Sequence, residues 1–131
     1  MTETSRKKVI LAVDDMALSL TTIRTILSPE YDVRLAKSAS LALEMLKQIK
    51  VDLILLDIEM PEISGLEFLG LLKRNPDLKD IPVIFVTSHA NPQFIDQAMA
   101  FEAEGYIVKP FVPAALIKRV KSVLNDEESS G

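Results

Sequence analysis

An α/β fold built around a mainly parallel sheet is predicted by three features of the sequence. Strand-like runs rich in β-branched residues alternate five times with helix-like patterns. Four of the five runs are nearly all apolar, as strands buried on both faces are. Each of those four also stops at a polar or charged residue: Val9 to Val13 at Asp14 and Asp15, Leu53 to Leu56 at Asp57, Val83 to Val86 at Thr87 and Ser88, Ile107 to Val108 at Lys109 and Pro110. Parallel strands share a carboxyl edge, and open α/β sheets bind ligands outside that edge.

The elements follow in order. After the first run, Met16, Leu20, Ile23 and Leu27 keep helical spacing and are expected to face the sheet, with Pro29 marking the helix end. In the second run Tyr31, Val33 and Leu35 alternate with Asp32 and Arg34, the pattern of a half-exposed edge strand. Ala42, Met45, Leu46 and Ile49 form the next helical stripe. Beyond the third run, Ser64 with Glu67 forms a capping box, and Pro76 marks the end of the helix it opens. Asn91 before Pro92 reads as an N-cap with proline in the first turn of a fourth helix. That helix carries two stripes, Ile95-Ala98-Met99 and Phe94-Ala98-Phe101; either one is left open to a partner, or both phenylalanines are deeply seated, the reading slightly favoured. Ile117, Val120 and Leu124 face the sheet from a fifth helix, and from Asn125 to Gly131 apolar content is lost.

With 131 residues, 48% of them apolar, the chain suits one globular domain with a real core. A net charge of −4 and a pI near 5.0 argue against direct nucleic acid binding or an anionic membrane partner. The Arg6-Lys7-Lys8 cluster is too short to reverse that. There is no cysteine, hence no disulfide and no thiolate metal site. The amino-terminal segment has no apolar signal region and no stretch is long enough for a membrane span, so a cytoplasmic protein is expected.

Three carboxylates, a hydroxyl and an amine thus converge on one edge. The adjacent Asp14 and Asp15 repel each other unless a cation or protons relieve them, although an N-cap beside a solvated neighbour is an alternative. Magnesium suits such a site, being a hard ion that takes one or two carboxylates, waters and a phosphate oxygen. Asp57 ends the most apolar run, where a carboxylate is expensive unless it caps a helix or lines a site. Facing a cation, it can serve as a nucleophile towards phosphorus. Thr87 offers a hydroxyl and Lys109 a point charge for phosphoryl oxygens. Taken singly, Thr87 is also a good β-former and Lys109 an exposed residue beside proline.

The chain resembles a receiver domain of two-component response regulators, of the single-domain chemotaxis type in size. The resemblance is carried by Val13-Asp14-Asp15, Leu56-Asp57-Ile58-Glu59-Met60-Pro61, Ser64-Gly65-Leu66-Glu67, Val86-Thr87-Ser88 and Tyr106-Ile107-Val108-Lys109-Pro110-Phe111. It implies a doubly wound, flavodoxin-like parallel sheet of five strands in the order 2-1-3-4-5, flanked by five helices. The domain would span 8–125, with 1–7 a lead-in and 126–131 a flexible tail or truncated linker. By resemblance Asp57 is the phosphoacceptor, and Asp14, Asp15, Asp57 and the Glu59 backbone carbonyl hold Mg2+, for which Mn2+ can substitute. Thr87 and Lys109 would bind the phosphoryl oxygens, Thr87 and Tyr106 would form the switch, and the Lys109-Pro110 bond would be cis. Glu59 and His89 would tune hydrolysis, His89 alternatively being a solvated loop residue. The expected donor is a sensor histidine kinase or a histidine phosphotransfer protein. Output would pass through the fourth helix, fifth strand and fifth helix to a downstream protein or output domain, or to a phosphorylation-dependent dimer. Such a switch is no enzyme in the ordinary sense, since it acts only on its own phosphoryl group. One departure stands out: Glu102 takes a place near the end of the fourth helix where the family often has glycine, so that helix end is expected to differ.

Other functions fit less well. A flavin-binding protein would want hydroxyls or glycines after the first strand to hold phosphate, where Asp14 and Asp15 stand. A haloacid-dehalogenase-type phosphatase would want an Asp-x-Asp signature on that strand. No G-x-x-x-x-G-K-[ST] segment supports a nucleotide phosphotransferase. The main alternative is an unphosphorylated pseudo-receiver that acts as a protein-binding scaffold.

Overall fold

The alternating pattern folds into a five-stranded parallel sheet in the computed structural model of the chain, which describes residues 7–60, 63–88, 92–100 and 102–124. Arg6, Pro61, His89, Asn91, Phe101, the side chain of Phe94 and the segment 125–131 lie outside the described residues. The strands are β1 (Val9–Val13), β2 (Asp32–Ala36), β3 (Leu53–Asp57), β4 (Val83–Thr87) and β5 (Gly105–Val108). Their spatial order is β2-β1-β3-β4-β5 and every neighbouring pair is parallel. Helices α1 (Ala17–Leu27), α2 (Ala39–Gln48), α3 (Gly65–Lys73), α4 (Pro92–Ala100) and α5 (Pro113–Leu124) alternate with them.

The apolar runs are explained by two cores, one on each face of the sheet. In β1, Leu11 and Val13 enter one core while Ile10 and Ala12 enter the other. In β3, Ile54 and Leu56 are likewise separated from Leu53 and Leu55, and in β4, Val83 and Phe85 from Ile84 and Val86. The first core is closed by Ala42 and Leu46 of α2, Phe68, Leu69 and Leu72 of α3 and Ala98 of α4. The second is closed by Leu20, Ile23 and Leu27 of α1 with Leu116, Val120 and Leu124 of α5. Alternation is therefore absent where both faces are covered and visible in β2, which occupies one sheet edge as its sequence pattern implied; the apolar β5 run, expected to be buried on both faces, forms the other edge instead, with Tyr106 and Ile107 half-buried and Val108 exposed. There Val33 is buried and Arg34 is exposed, paired with Asp32 at 2.9 Å.

The helical stripes need adjustment at their ends. Met16 does not face the sheet: it is the N-cap of α1, with extended backbone, and its side chain is 54% exposed. The cause is the Asp14 carboxylate, whose Oδ1 accepts the Met16 N–H at 2.9 Å and delays the first helical turn until Ala17. Met45, Ile49 and Ile117 are half-buried, and Leu116, which the expected α5 stripe omitted, is fully buried. The capping box forms as expected: Ser64 Oγ accepts the Glu67 N–H at 3.1 Å and Glu67 Oε1 accepts the Ser64 N–H at 2.9 Å. At the end of α4, the Ala103 N–H donates to the Ala98 carbonyl (3.1 Å) and the Glu102 N–H to the Met99 carbonyl (2.9 Å). This is the glycine-type helix stop, and Glu102 accepts the left-handed conformation it requires, at φ 68°.

Candidate functional site

Register brings the functional residues to one edge. Val13 pairs with Leu56, Asp57 with Val86 and Thr87 with Val108, so Asp14, Asp57, Thr87 and Lys109 all sit at or just past the carboxyl ends of adjacent strands. The strand pairing continues one step into the loops. The Asp14 N–H donates to the Ala36 carbonyl at 3.1 Å, the Ile58 N–H to the Val86 carbonyl at 3.3 Å and the Lys109 N–H to the Thr87 carbonyl at 2.7 Å. These bonds hold the loop residues at defined positions. The Lys109-Pro110 bond is cis, as the resemblance implied.

At the centre, carboxylate oxygens of Asp14, Asp15 and Asp57 lie within 4.8 Å of one another. Asp14 and Asp57 are buried, at 1% and 6% exposed, while Asp15 faces solvent. Lys109 Nζ lies 2.7 Å from Asp14 Oδ2 and partly neutralises the cluster. Asp57 Oδ1 accepts the Glu59 N–H at 3.3 Å, a longer bond. The Asp57 carboxyl is pushed up to about 7, mainly by burial and next by the Asp14 charge, against the opposing pull of Lys109 and the Glu59 N–H. Two buried carboxylates with one amine between them leave uncompensated negative charge, and the all-oxygen donor set is what a hard divalent cation takes.

Asp15, Asp57, Glu59 and Lys109 line an open cleft of about 660 Å3, joined by Ser64 and Ser88. Asp14 and Thr87 are buried and do not form part of its lining. Tyr106 is half-buried and packs at the edge of the α2–α4 core. His89 lies outside the described residues. Sequence reasoning missed the part played by Gly65, seen there only as a helix start. Its N–H donates to the Ile58 carbonyl at 2.7 Å, and a Cβ at this position would come to 2.4 Å from the Asp57 carbonyl oxygen and 2.8 Å from Ile58 Cα. Only glycine lets α3 close on the strand end that carries Asp57.

Comparison with known proteins agrees with this geometry. Residues 10–121 match the response regulator receiver domain family, and the chain belongs to it. It is 40% identical over 122 residues to a probable cyclic di-GMP phosphodiesterase of Vibrio cholerae, covering 92% of this chain but only 27% of that protein. It is 34% identical over 120 residues to the polar-differentiation response regulator DivK of Brucella ovis, covering 91% of this chain and 98% of the relative. Among solved structures it is similar to the response regulator TrrA of Thermotoga maritima in complex with Mg(2+)-BeF: TM-score 0.79, 34% identity, 89% of this chain and 99% of that one. Receiver-domain membership places the chain in two-component signalling, with a role that depends on phosphorylation.

Proposed function

We propose that the chain is a Mg2+-dependent phosphorylation switch in which Asp57 accepts a phosphoryl group from a sensor histidine kinase or a histidine phosphotransfer protein. The observation that carries this reading is the buried Asp57 carboxylate set against Asp14 and Lys109 at the floor of an open cleft. An Asp57 carboxylate oxygen attacks phosphorus, the bond from phosphorus to the donor nitrogen breaks, and its electron pair leaves with the donor imidazole. Asp14, Asp15, Asp57 and the Glu59 carbonyl would hold the cation, which supplies charge neutralisation for the carboxylates and the phosphoryl oxygens. The complex of the similar Thermotoga maritima regulator with Mg(2+)-BeF supports this choice of ion.

Lys109, now on Asp14, exchanges that partner for a phosphoryl oxygen, and the Thr87 hydroxyl takes another. Movement of Thr87 leaves room for Tyr106 to turn inward and changes the face formed by α4, β5 and α5. On that face Met99 is 49% and Val108 42% exposed, which suits a downstream protein, an output domain or a second copy. Glu59, at the cleft rim, and His89 tune the loss of the phosphoryl group. The protein would thus catalyse only its own phosphorylation and dephosphorylation. Residues 8–125 are the receiver unit, 1–7 its lead-in and 126–131 a tail or linker. Among the described residues no helix is long and apolar enough to cross a membrane, in keeping with a cytoplasmic site of action.

The test is intact-protein mass after incubation with acetyl phosphate. One phosphoryl adduct that requires both magnesium and Asp57 is expected; folded protein that forms none would favour the pseudo-receiver scaffold.

A further inference from the structure

The cleft above Asp57 is larger than the chemistry assigned to it requires. A phosphoryl group with a partly hydrated divalent ion needs on the order of 200 Å3, counted at about 30 Å3 per water-sized group. The cleft has about 660 Å3. The excess is not a polar basin, because Met16, Met60 and Leu66 contribute to its lining beside Asp57 and Lys109. Met60 and Leu66 are half-buried and packed against the α2–α4 core, so this part of the wall is anchored from behind. Met16, kept out of the α1 stripe by the Asp14 hydrogen bond, adds a flexible thioether that adapts to whatever lies against it. One opening therefore serves a charged floor and an apolar wall.

A phosphoryl group reaches Asp57 attached to its leaving group, and in-line displacement holds that leaving group on the side of phosphorus away from the attacking oxygen. The open part of the cleft is where it must lie. We propose that the apolar wall formed by Met16, Met60 and Leu66 receives a hydrocarbon or ring next to the phosphorylated atom of the donor, and so makes the acceptor site selective for donors that carry one. This inference rests on Asp57 being the phosphoacceptor and adds the class of donor. For a ring-bearing acyl phosphate the step balances: the Asp57 carboxylate oxygen bonds to phosphorus, the P–O bond to the acyl oxygen breaks, and the carboxylate leaves with the electron pair. Protons are neither taken up nor released.

The experiment compares initial rates of adduct formation, by intact mass with magnesium present, for benzoyl phosphate and acetyl phosphate. The quantity read is the benzoyl-to-acetyl rate ratio in wild type, Met60→Ser, Leu66→Ser and Met16→Ser. Intrinsic reactivity differences between the two donors cancel when ratios are compared. The ratio is expected to fall about fivefold in Met60→Ser and Leu66→Ser, less than a fully enclosed apolar pocket would give, and by a smaller factor in Met16→Ser. If Leu66→Ser fails to fold, the exposed Met16 position and Met60 decide the matter. Ratios equal to wild type in the folded variants, with adducts forming normally, would overturn the inference and leave Asp57 as acceptor. Absence of any adduct on wild type with either donor would overturn both.

Discussion

Asp57 and Lys109 carry opposite consequences for stability. Asp57 titrates near 7 in the folded chain against an ordinary value of 3.8. Between those values the folded state retains a proton that the unfolded chain has lost, so this group's contribution to stability falls as pH rises through that window and is fully lost above it. Asp57→Asn removes the slope. In chelator, urea unfolding at pH 8 is expected to show the variant about 2 kcal/mol more stable than wild type, with the gap closing towards pH 4. Lys109→Ala acts the other way, because it strands the buried Asp14 carboxylate that Nζ meets at 2.7 Å. A loss of about 3 kcal/mol at pH 8 without a divalent cation is expected, with most of it recovered in Lys109→Ala/Asp14→Asn. Equal losses in single and double variants would show that the pair is not coupled. Composition and motif brought Asp14, Asp15, Asp57 and Lys109 forward at the sequence level. Which carboxylate holds the amine depends on loop geometry, and no spacing rule expresses that.

Two helix ends, one beside Asp57 and one at the opposite end of the sheet, can be altered separately. Gly65 lets α3 press against the end of β3, with space for no Cβ beside the Asp57 carbonyl oxygen. Gly65→Ala is expected to cost about 2 kcal/mol in urea unfolding and to slow adduct formation, since the backbone that must yield is that of the acceptor itself. At the far end of α4, Glu102 stands in a left-handed conformation at φ 68° that glycine adopts freely. Glu102→Gly is expected to stabilise the chain by about 1 kcal/mol, and a loss of stability would show that the Glu102 side chain contributes more than its backbone costs. Sequence marked both positions but not their meaning. Ser64 and Glu67 announced a helix start, whereas the packing of its first residue against another strand is a tertiary fact. The substitution of Glu102 for glycine suggested an altered helix end, yet the hydrogen bonds to Ala98 and Met99 impose the usual stop.

For the molecule as a whole, burial on both faces of β1, β3 and β4 is what made the fold readable. Continuous apolar runs mark the interior strands β1, β3 and β4 and the alternating run marks the β2 edge, whereas the equally apolar β5 is the other edge and is only partly covered. The helices were placed less well at their first turns: Met16 has the right spacing for α1 but is claimed by an Asp14 side-chain bond, and in α5 the buried stripe starts at Leu116, four residues before Val120, with Ile117 at its margin. The cleft and its apolar wall combine Met16 after β1, Met60 after β3 and Leu66 in the first turn of α3, and were illegible because only the fold brings these together. A sheet edge that concentrates three carboxylates should also respond to cations as a unit. Millimolar magnesium is expected to raise the melting temperature of wild type by several degrees and that of Asp57→Asn by much less, as mass action on a folded-state site requires. The most direct measurement is borohydride trapping of the phosphorylated protein followed by peptide mapping, which converts an aspartyl phosphate to homoserine at the residue that carried it. Homoserine at position 57 alone is the result this account predicts; homoserine at position 14 or 15, or none in protein shown by mass to carry the phosphoryl group, would contradict it.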